Sequence, residues 1–69
     1  MPVINTIELE GVSADSWGEA AREALREAAK TIRGIQKLEV LSTSTGVKDN
    51  KIVEYRTQIR LFFVIEQGK

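Results

Sequence analysis

The feature that most constrains this fold is a pair of long extended stretches in the second half of the chain, residues 36–47 and 51–66. Both are rich in β-branched and aromatic side chains, and Asp49 and Asn50 between them suit a tight turn. The pattern predicts an antiparallel hairpin, and a 15-residue strand in it would reach about 50 Å, since each strand residue adds about 3.3 Å. The rest of the chain is therefore expected to pack against this hairpin.

One amphipathic helix is predicted before the hairpin, within SADSWGEAAREALREAAKTIRG, residues 13–34. Ser16 with Glu19 has the form of a capping box, Ser13 is a second candidate N-cap, and Gly34 suits the position after the helix. Apolar residues recur at steps of three and four on one face, at Trp17, Ala21, Ala24, Ala28, Ile32 and Ile35. The other face is expected to be solvated. We expect a helix of about 18 residues, or about 27 Å.

Residues 3–9, VINTIEL, are β-branched and alternate imperfectly, which predicts a first strand that ends at Gly11. The element order is then strand, helix, long strand, long strand, and we expect it to occupy residues 1–69 as a single domain. A chain of this length buries only about 60% of its unfolded surface. It also has no cysteine for a disulfide, so self-association is expected to supplement its core.

The turn also predicts how the two long strands pair and which side chains share a face. A turn centred on residues 49–50 sets Val40 opposite Ile59 and Leu38 opposite Leu61. The face that we expect the helix to cover, the covered face, carries Leu38, Val40, Val53, Tyr55, Ile59, Leu61 and Phe63. The opposite face, called the second face below, carries Lys37, Glu39, Leu41, Thr43, Glu54, Arg56, Gln58, Arg60 and Phe62.

The predicted helix is much shorter than the predicted hairpin, so the hairpin extends beyond it. Apolar side chains in that extension, with Phe62 and Val64 on the second face, have no cover within one chain. We expect other subunits to cover them.

Composition excludes several functions. The chain has no histidine, so its serines lack the usual activating base, and we expect a protein that is not an enzyme. Ten basic and ten acidic residues cancel, which argues against nucleic-acid binding. No apolar run approaches the roughly 20 residues that cross a bilayer. We therefore expect no membrane association and a cytoplasmic location.

Three further residues allow more than one interpretation. Glu8 and Glu10 on the first strand face water, pair for acid–base chemistry, or contribute oxygen ligands to a calcium ion, which in a shell would lie at a subunit contact. No metal site is expected within one chain. Trp17 at the start of the helix is a packing anchor, or it stacks on a planar ligand.

The sequence resembles the dodecin family. The resemblance rests on the element order, on IELEGVSADSW before and at the helix start, on AAKTIRGI at its end, on EVLS in the second strand and on IVEYRTQIRLFFVIE in the last strand. It implies a βαββ fold in which a three-stranded antiparallel sheet partly wraps one helix. It also implies a hollow homododecamer that binds a small-molecule ligand between subunits, with FMN, riboflavin or coenzyme A as the ligands of different members.

The resemblance also identifies ligand-binding positions, and this sequence departs from the family pattern at each. Lys37 stands where flavin-binding members have a tryptophan that stacks on the ring. Arg56 follows Tyr55 where those members have a glutamine, and Ser42 stands where some have an acidic residue. Loss of a stacking ring removes about 1–3 kcal/mol of binding free energy. Supporting residues on the same face are Glu39, Gln58 and Arg60.

Two functions are consistent with this pattern. The first is a dodecin-like small-ligand binding or storage protein with weakened or absent flavin binding, in which Lys37 and Arg56 suit a phosphate-bearing ligand. In this case FMN or riboflavin is doubtful and the cofactor is unknown. The second is a structural or calcium-binding dodecameric shell. The alternative to any ligand role is that Lys37 is solvated and that Glu39 pairs with Arg60 across the hairpin.

Overall fold

The computed structural model describes residues 3–65 and has the predicted element order. Strand β1 is Val3–Ser13, helix α1 is Trp17–Ala29, strand β2 is Ile35–Lys48 and strand β3 is Lys51–Ile65. The three strands form one antiparallel sheet in the order β1-β3-β2, so the long third strand is central. The fold is therefore α+β with βαββ topology, as predicted.

The first strand continues beyond the predicted end at Gly11. It reaches Ser13, and Gly11 pairs with Thr57 of β3 inside the sheet. A Cβ atom at Gly11 would lie 1.8 Å from the backbone oxygen of Ala20 in the helix. The glycine is needed because helix and strand approach closely here, and the interpretation of Gly11 as a strand terminus was wrong.

The helix begins as predicted but is shorter. Ser16 is the N-cap, and its Oγ accepts a 3.0 Å hydrogen bond from the backbone N–H of Glu19. The helix ends at Ala29 after 13 residues instead of about 18. The β-branched residues Thr31 and Ile32 follow, and they lose side-chain freedom in a helix. No helix of the described residues is long and apolar enough to cross a membrane.

Gly34 lies immediately before strand β2 and does not cap the helix. It has a φ of 77°, a conformation that favours glycine, and it lies beyond Lys30, the C-cap. Its carbonyl oxygen accepts a hydrogen bond from the N–H of Val64 at 3.2 Å. The prediction of Gly34 as the residue just after the helix was therefore wrong.

The core lies between the helix and the central strand. Ala20, Ala24 and Ala28 are the buried helix residues, so the small side chains let the helix lie close to the sheet. Ala21, expected to face the core, is only half-buried, because the buried face is rotated by one residue at the start of the helix. Ile59 and Leu61 are fully buried on β3.

The hairpin has the predicted turn. Asp49 and Asn50 have φ values of 53° and 63°, the left-handed conformation of a tight hairpin turn. The predicted pairing of Val40 with Ile59 is present, as is that of residue 38 with residue 61. Residues 42–46 between the turn and these pairs are shifted by one position, because the unpaired Val53 introduces a shift that the unpaired Leu41 reverses.

The register also shifts at three places, which simple alternation does not anticipate. Gln36, Leu41 and Val53 have no cross-strand partner in the hairpin, and each marks an irregularity of the β-bulge type. Beyond Leu41, Thr43 lies opposite the buried Thr57. Thr43 therefore lies on the covered face, and its assignment to the second face was wrong.

The helix leaves much of the hairpin uncovered, as predicted. It packs mainly against β1 and β3, so Val40 on the edge strand is 56% exposed although we expected the helix to cover it. Val47, Ile52 and Val53 near the turn are also exposed. The described residues extend over 56 Å in their longest dimension, far beyond a 13-residue helix.

Candidate functional site

The structure places Lys37, Ser42 and Arg56 on the second face. Lys37 pairs with Phe62, and Ser42 pairs with Gln58, two residues along β3 from Arg56. In a regular strand, positions 37 and 42 would point to opposite faces. The unpaired residue Leu41 reverses the alternation between them and brings both side chains to the same face.

These residues are spread along the face. The row of β3 that carries them runs from Arg56 to Phe62, six positions or about 20 Å. Ser42 and Arg56 lie near one another, whereas Lys37 lies at the far end of the row. The sequence suggested that Lys37 and Arg56 bind one anion together. Within one chain the two residues lie too far apart to form a single anion site.

Arg56 is held by two carboxylates. Glu54 Oε2 accepts hydrogen bonds from Arg56 Nε at 2.6 Å and lies 2.5 Å from Nη2. Glu10 Oε2, from β1, accepts from Nη1 at 3.2 Å. The hydrogen bonds to Glu10 and Glu54 raise the pKa of Arg56 above its ordinary value, so the guanidinium stays charged.

Arg60 forms a similar row across the three strands. Its Nη2 donates to Glu8 Oε2 at 2.9 Å, and its Nη1 lies 3.5 Å from Glu39 Oε1. The predicted pair between Glu39 and Arg60 is thus present. Glu8, like Glu10, is paired with an arginine, which neither the solvated nor the calcium-binding interpretation anticipated. The described part of the chain contains no group of three or more acidic, histidine or cysteine residues placed to hold a metal.

A neutral pair on β2 and β3 lies between Arg56 and Arg60. The Ser42 hydroxyl donates to Gln58 Oε1 at 2.9 Å, and both side chains are exposed. Glu10 of β1 lies on the other side of Gln58. Within residues 3–65, the Gln58 amide nitrogen donates no hydrogen bond, so it offers an uncharged donor to a ligand.

Lys37 packs on an aromatic ring. Its Nζ lies 4.3 Å from the ring centroid of Phe62, a cation–π contact. Lys37 thus covers part of Phe62. Phe62 and Val64 are both half-buried, although the sequence analysis expected them to have no cover within one chain. The position that the resemblance assigns to a stacking tryptophan thus carries a cation lying on a neighbouring ring.

Trp17 contacts the chain's own residues on the covered side of the sheet. Its Nε1 donates to the carbonyl of Ser44 at 2.8 Å, and its ring meets Tyr55 edge to face at 5.2 Å. The Trp17 carbonyl also accepts from the hydroxyl of the buried Thr57 at 2.9 Å. These contacts support the packing interpretation, although Trp17 remains 43% exposed.

Sequence reasoning did not identify the arginine partners of three acidic residues of this face. Glu54 was placed there but not recognised as a partner of Arg56, and Glu8 and Glu10 were not connected to the arginines. Alternation in the first strand was the available signal, because Glu8 and Glu10 share its outer face. The missing information was that β1 pairs with β3 and not with β2. A shallow depression of about 240 Å³ lies here, lined in part by Glu8, Glu10 and Gln58.

The fold and this face define a class of protein. It is a βαββ unit whose three-stranded antiparallel sheet has one face covered by the helix and one polar, uncovered face. The family model that matches residues 3–66 is Dodecin, and the chain belongs to the dodecin family. The resemblance seen in the sequence is thereby confirmed, and family membership implies assembly into a homododecamer.

Solved structures agree with this assignment. A point variant of the dodecin from Thermus thermophilus has a TM-score of 0.92 and 26% identity, covering 99% of this chain and 100% of its own. The dodecin from Streptomyces coelicolor has a TM-score of 0.92 at 24% identity and covers 97% and 96% of the two chains, which shows the fold alone.

A third similar structure is the calcium dodecin from Mycobacterium tuberculosis, described as calcium-chelating with a novel calcium-binding site. It has a TM-score of 0.84 and 25% identity, with 97% of this chain and 96% of its own covered. A comparison with curated proteins finds no significant match.

Proposed function

We propose that this chain forms a hollow homododecamer that binds and stores a small ligand between subunits, with weakened or absent flavin binding. The observation that carries the proposal is that Lys37, Ser42 and Arg56 all lie on the uncovered second face. Ser42 reaches that face only because of the irregularity at Leu41. Residues 1–69 act as a single domain in the cytoplasm, without catalysis and without a nucleic-acid or membrane partner.

Weak flavin binding follows from two of these positions. Lys37 supplies no planar platform and already lies over Phe62, so about 1–3 kcal/mol of stacking free energy is lost on each side of a bound ring. Arg56 replaces a neutral amide, and two carboxylates hold its guanidinium. The polar edge of a flavin would therefore meet an arginine whose guanidinium is already paired with Glu10 and Glu54 at this position.

Of the three basic residues by which the second face was defined, one suits a phosphate-bearing ligand such as coenzyme A or FMN. Among residues 3–65, Lys37 forms no ion pair, whereas Arg56 and Arg60 each contact two carboxylates. Lys37 is therefore the residue that we assign to phosphate, and Gln58 the residue that we assign to an uncharged polar group.

Flavin titration tests the proposal. The purified protein should be colourless and should quench riboflavin fluorescence weakly, while the double substitution Lys37→Trp with Arg56→Gln should strengthen quenching by about tenfold or more, because it restores the stacking ring. The control is Lys30→Trp, an exposed lysine on the helix. A yellow native protein with near-stoichiometric flavin would contradict the assignment of Lys37.

The second candidate is a calcium-binding shell. The similar calcium dodecin from Mycobacterium tuberculosis favours it, although Glu8 and Glu10 here are paired with arginines. Calcium titration by calorimetry separates the two candidates. A binding heat that saturates at one ion or fewer per chain supports the shell, provided that the double substitution Glu8→Gln with Glu10→Gln removes it. Absence of any binding heat in the native protein would contradict the shell.

A further inference from the structure

We infer that Glu54 is a specificity-determining residue of the second face, because it occupies the edge of Arg56 on which an anionic group of a ligand would bind. The inference rests on the proposed function only in that it concerns the same face. It adds a residue that neither the sequence nor the resemblance assigns to the site.

One carboxylate oxygen of Glu54 occupies the edge of Arg56 that binds anions. Arginine presents Nε and one terminal nitrogen along one edge, which carboxylates and phosphates recognise through paired hydrogen bonds. Glu54 Oε2 lies 2.6 Å from Nε and 2.5 Å from Nη2, so it fills this edge of Arg56. Glu10 takes the remaining terminal nitrogen. Each nitrogen of the guanidinium thus contacts a carboxylate of the same chain.

A glycine makes room for this carboxylate. Gly46 lies directly opposite Glu54 in the hairpin. A Cβ atom at Gly46 would lie 2.6 Å from Cγ and 2.7 Å from Oε2 of Glu54, much closer than packed atoms approach. Glu54 therefore folds over the bare Cα of Gly46 in order to reach Arg56.

Arg60, two rows away, is held differently. Its contacts to Glu8 and Glu39 use the two terminal nitrogens, and the second contact is long at 3.5 Å. Within residues 3–65, the Nε–H of Arg60 donates to no carboxylate, and Glu8 contacts only the terminal nitrogen Nη2 of that edge. A carboxylate that contacts both nitrogens of the Nε edge is therefore a feature of Arg56 that Arg60 does not share.

The consequence concerns which ligand group can lie beside Arg56. An anion from solution must compete with a carboxylate that is tethered two residues away and thus present at high effective concentration. An uncharged group does not need the occupied edge. The second face is thus selective for an uncharged moiety beside Arg56, and Glu54 sets that selectivity.

The experiment uses inorganic pyrophosphate, which needs no knowledge of the natural ligand. The Nε–Hε resonance of Arg56 is followed by NMR during titration of the native chain, Glu54→Ala and the control Glu23→Ala, which removes a carboxylate beside the helix residue Arg26. We expect Glu54→Ala to bind pyrophosphate about two- to fivefold more tightly than the native chain, the gain of an exposed ion pair. Equal affinity of the native chain, Glu54→Ala and Glu23→Ala would overturn the inference.

A second variant keeps the charge unchanged. Gly46→Ala displaces Glu54 sterically, and it should raise pyrophosphate affinity at Arg56 in the same direction. Circular dichroism verifies that the strands are retained. A folded Gly46→Ala with native affinity would contradict the role given to Gly46. Because the Nε–Hε resonance reports on Arg56 alone, a chain that binds no flavin-like or nucleotide ligand refutes the proposed function without affecting this result.

Discussion

Gly11 is the residue through which the helix and the sheet come into contact. Its missing Cβ leaves space for the backbone oxygen of Ala20, and Ala24 lies beside it, at 3.2 Å from the position of a Cβ. A glycine inside a strand weakens it locally. Here that local cost is offset because the helix can lie close enough to bury Ala20 and Ala24 against the sheet.

Replacing Gly11 with alanine should therefore destabilise the fold. The new methyl group meets backbone and not a flexible side chain, so we expect a loss of about 1–3 kcal/mol in the free energy of unfolding. Gly18→Ala is the matched control, because the nearest atom to its Cβ position is 3.5 Å away and alanine favours a helix. Urea denaturation at one fixed protein concentration measures both. Equal stability of Gly11→Ala and the native protein would contradict the close contact.

At the scale of the elements, the helix N-terminus depends on one side chain. Ser16 Oγ accepts from the N–H of Glu19, whereas the Ser13 hydroxyl accepts from Asp15 in the preceding turn. We expect Ser16→Ala to cost about 1 kcal/mol of unfolding free energy, and Ser13→Ala to cost less, since only the first leaves a helix N–H without its cap. Thermal unfolding of the two variants makes the comparison. A larger effect from Ser13→Ala would reverse the assignment of the cap.

The elements also show what the sequence can and cannot predict. The turn at Asp49 and Asn50 is a local property and was predicted, whereas the predicted pairing of Val40 with Ile59 is present only because the shifts at Val53 and Leu41 cancel. The unpaired residue Leu41 depends on how β2 fits its neighbour along the whole hairpin, and no local pattern reveals it. The face of Ser42 was therefore beyond sequence reasoning based on alternation alone.

The same limit applies to the site. Lys37 and Arg56 were placed on the right face because β3 alternates regularly through this region. The partners of Arg56 were missed because one comes from β1, whose place in the sheet depends on the path of the chain around the helix. Charge pairs between distant strands require the topology, which composition and periodicity do not supply.

At the scale of the whole molecule, the two faces of the sheet differ in what satisfies their side chains. The covered face is closed by the helix over Ile59 and Leu61, while the second face carries charged rows that satisfy one another. The exposed large apolar side chains lie on both edge strands, β1 and β2, near the turn, at the helix start and at the end of β3. Family membership implies that neighbouring subunits cover some of them, which a chain of this size needs in order to be stable.

The exposed pair near the turn gives a direct test of this division. Val47 and Ile52 lie opposite each other and are 64% and 58% exposed, yet neither contributes to the core. If neighbouring subunits bury these side chains, Val47→Lys with Ile52→Lys places two unpaired charges in an apolar contact and should dissociate the homododecamer. Because the core is untouched, the variant should retain its secondary structure.

Native mass spectrometry and sedimentation velocity measure the particle mass, and circular dichroism reports the fold. The control is Ala29→Lys, which adds a charge at an exposed position at the end of the helix and should leave the assembly unchanged. Dissociation of the double variant alone assigns the hairpin tip to the subunit contact. An intact dodecamer would show that the hairpin tip stays in solvent. The edge of β2 around Val40 would then be the next candidate for the subunit contact. The substitution Val40→Lys tests that edge in the same way.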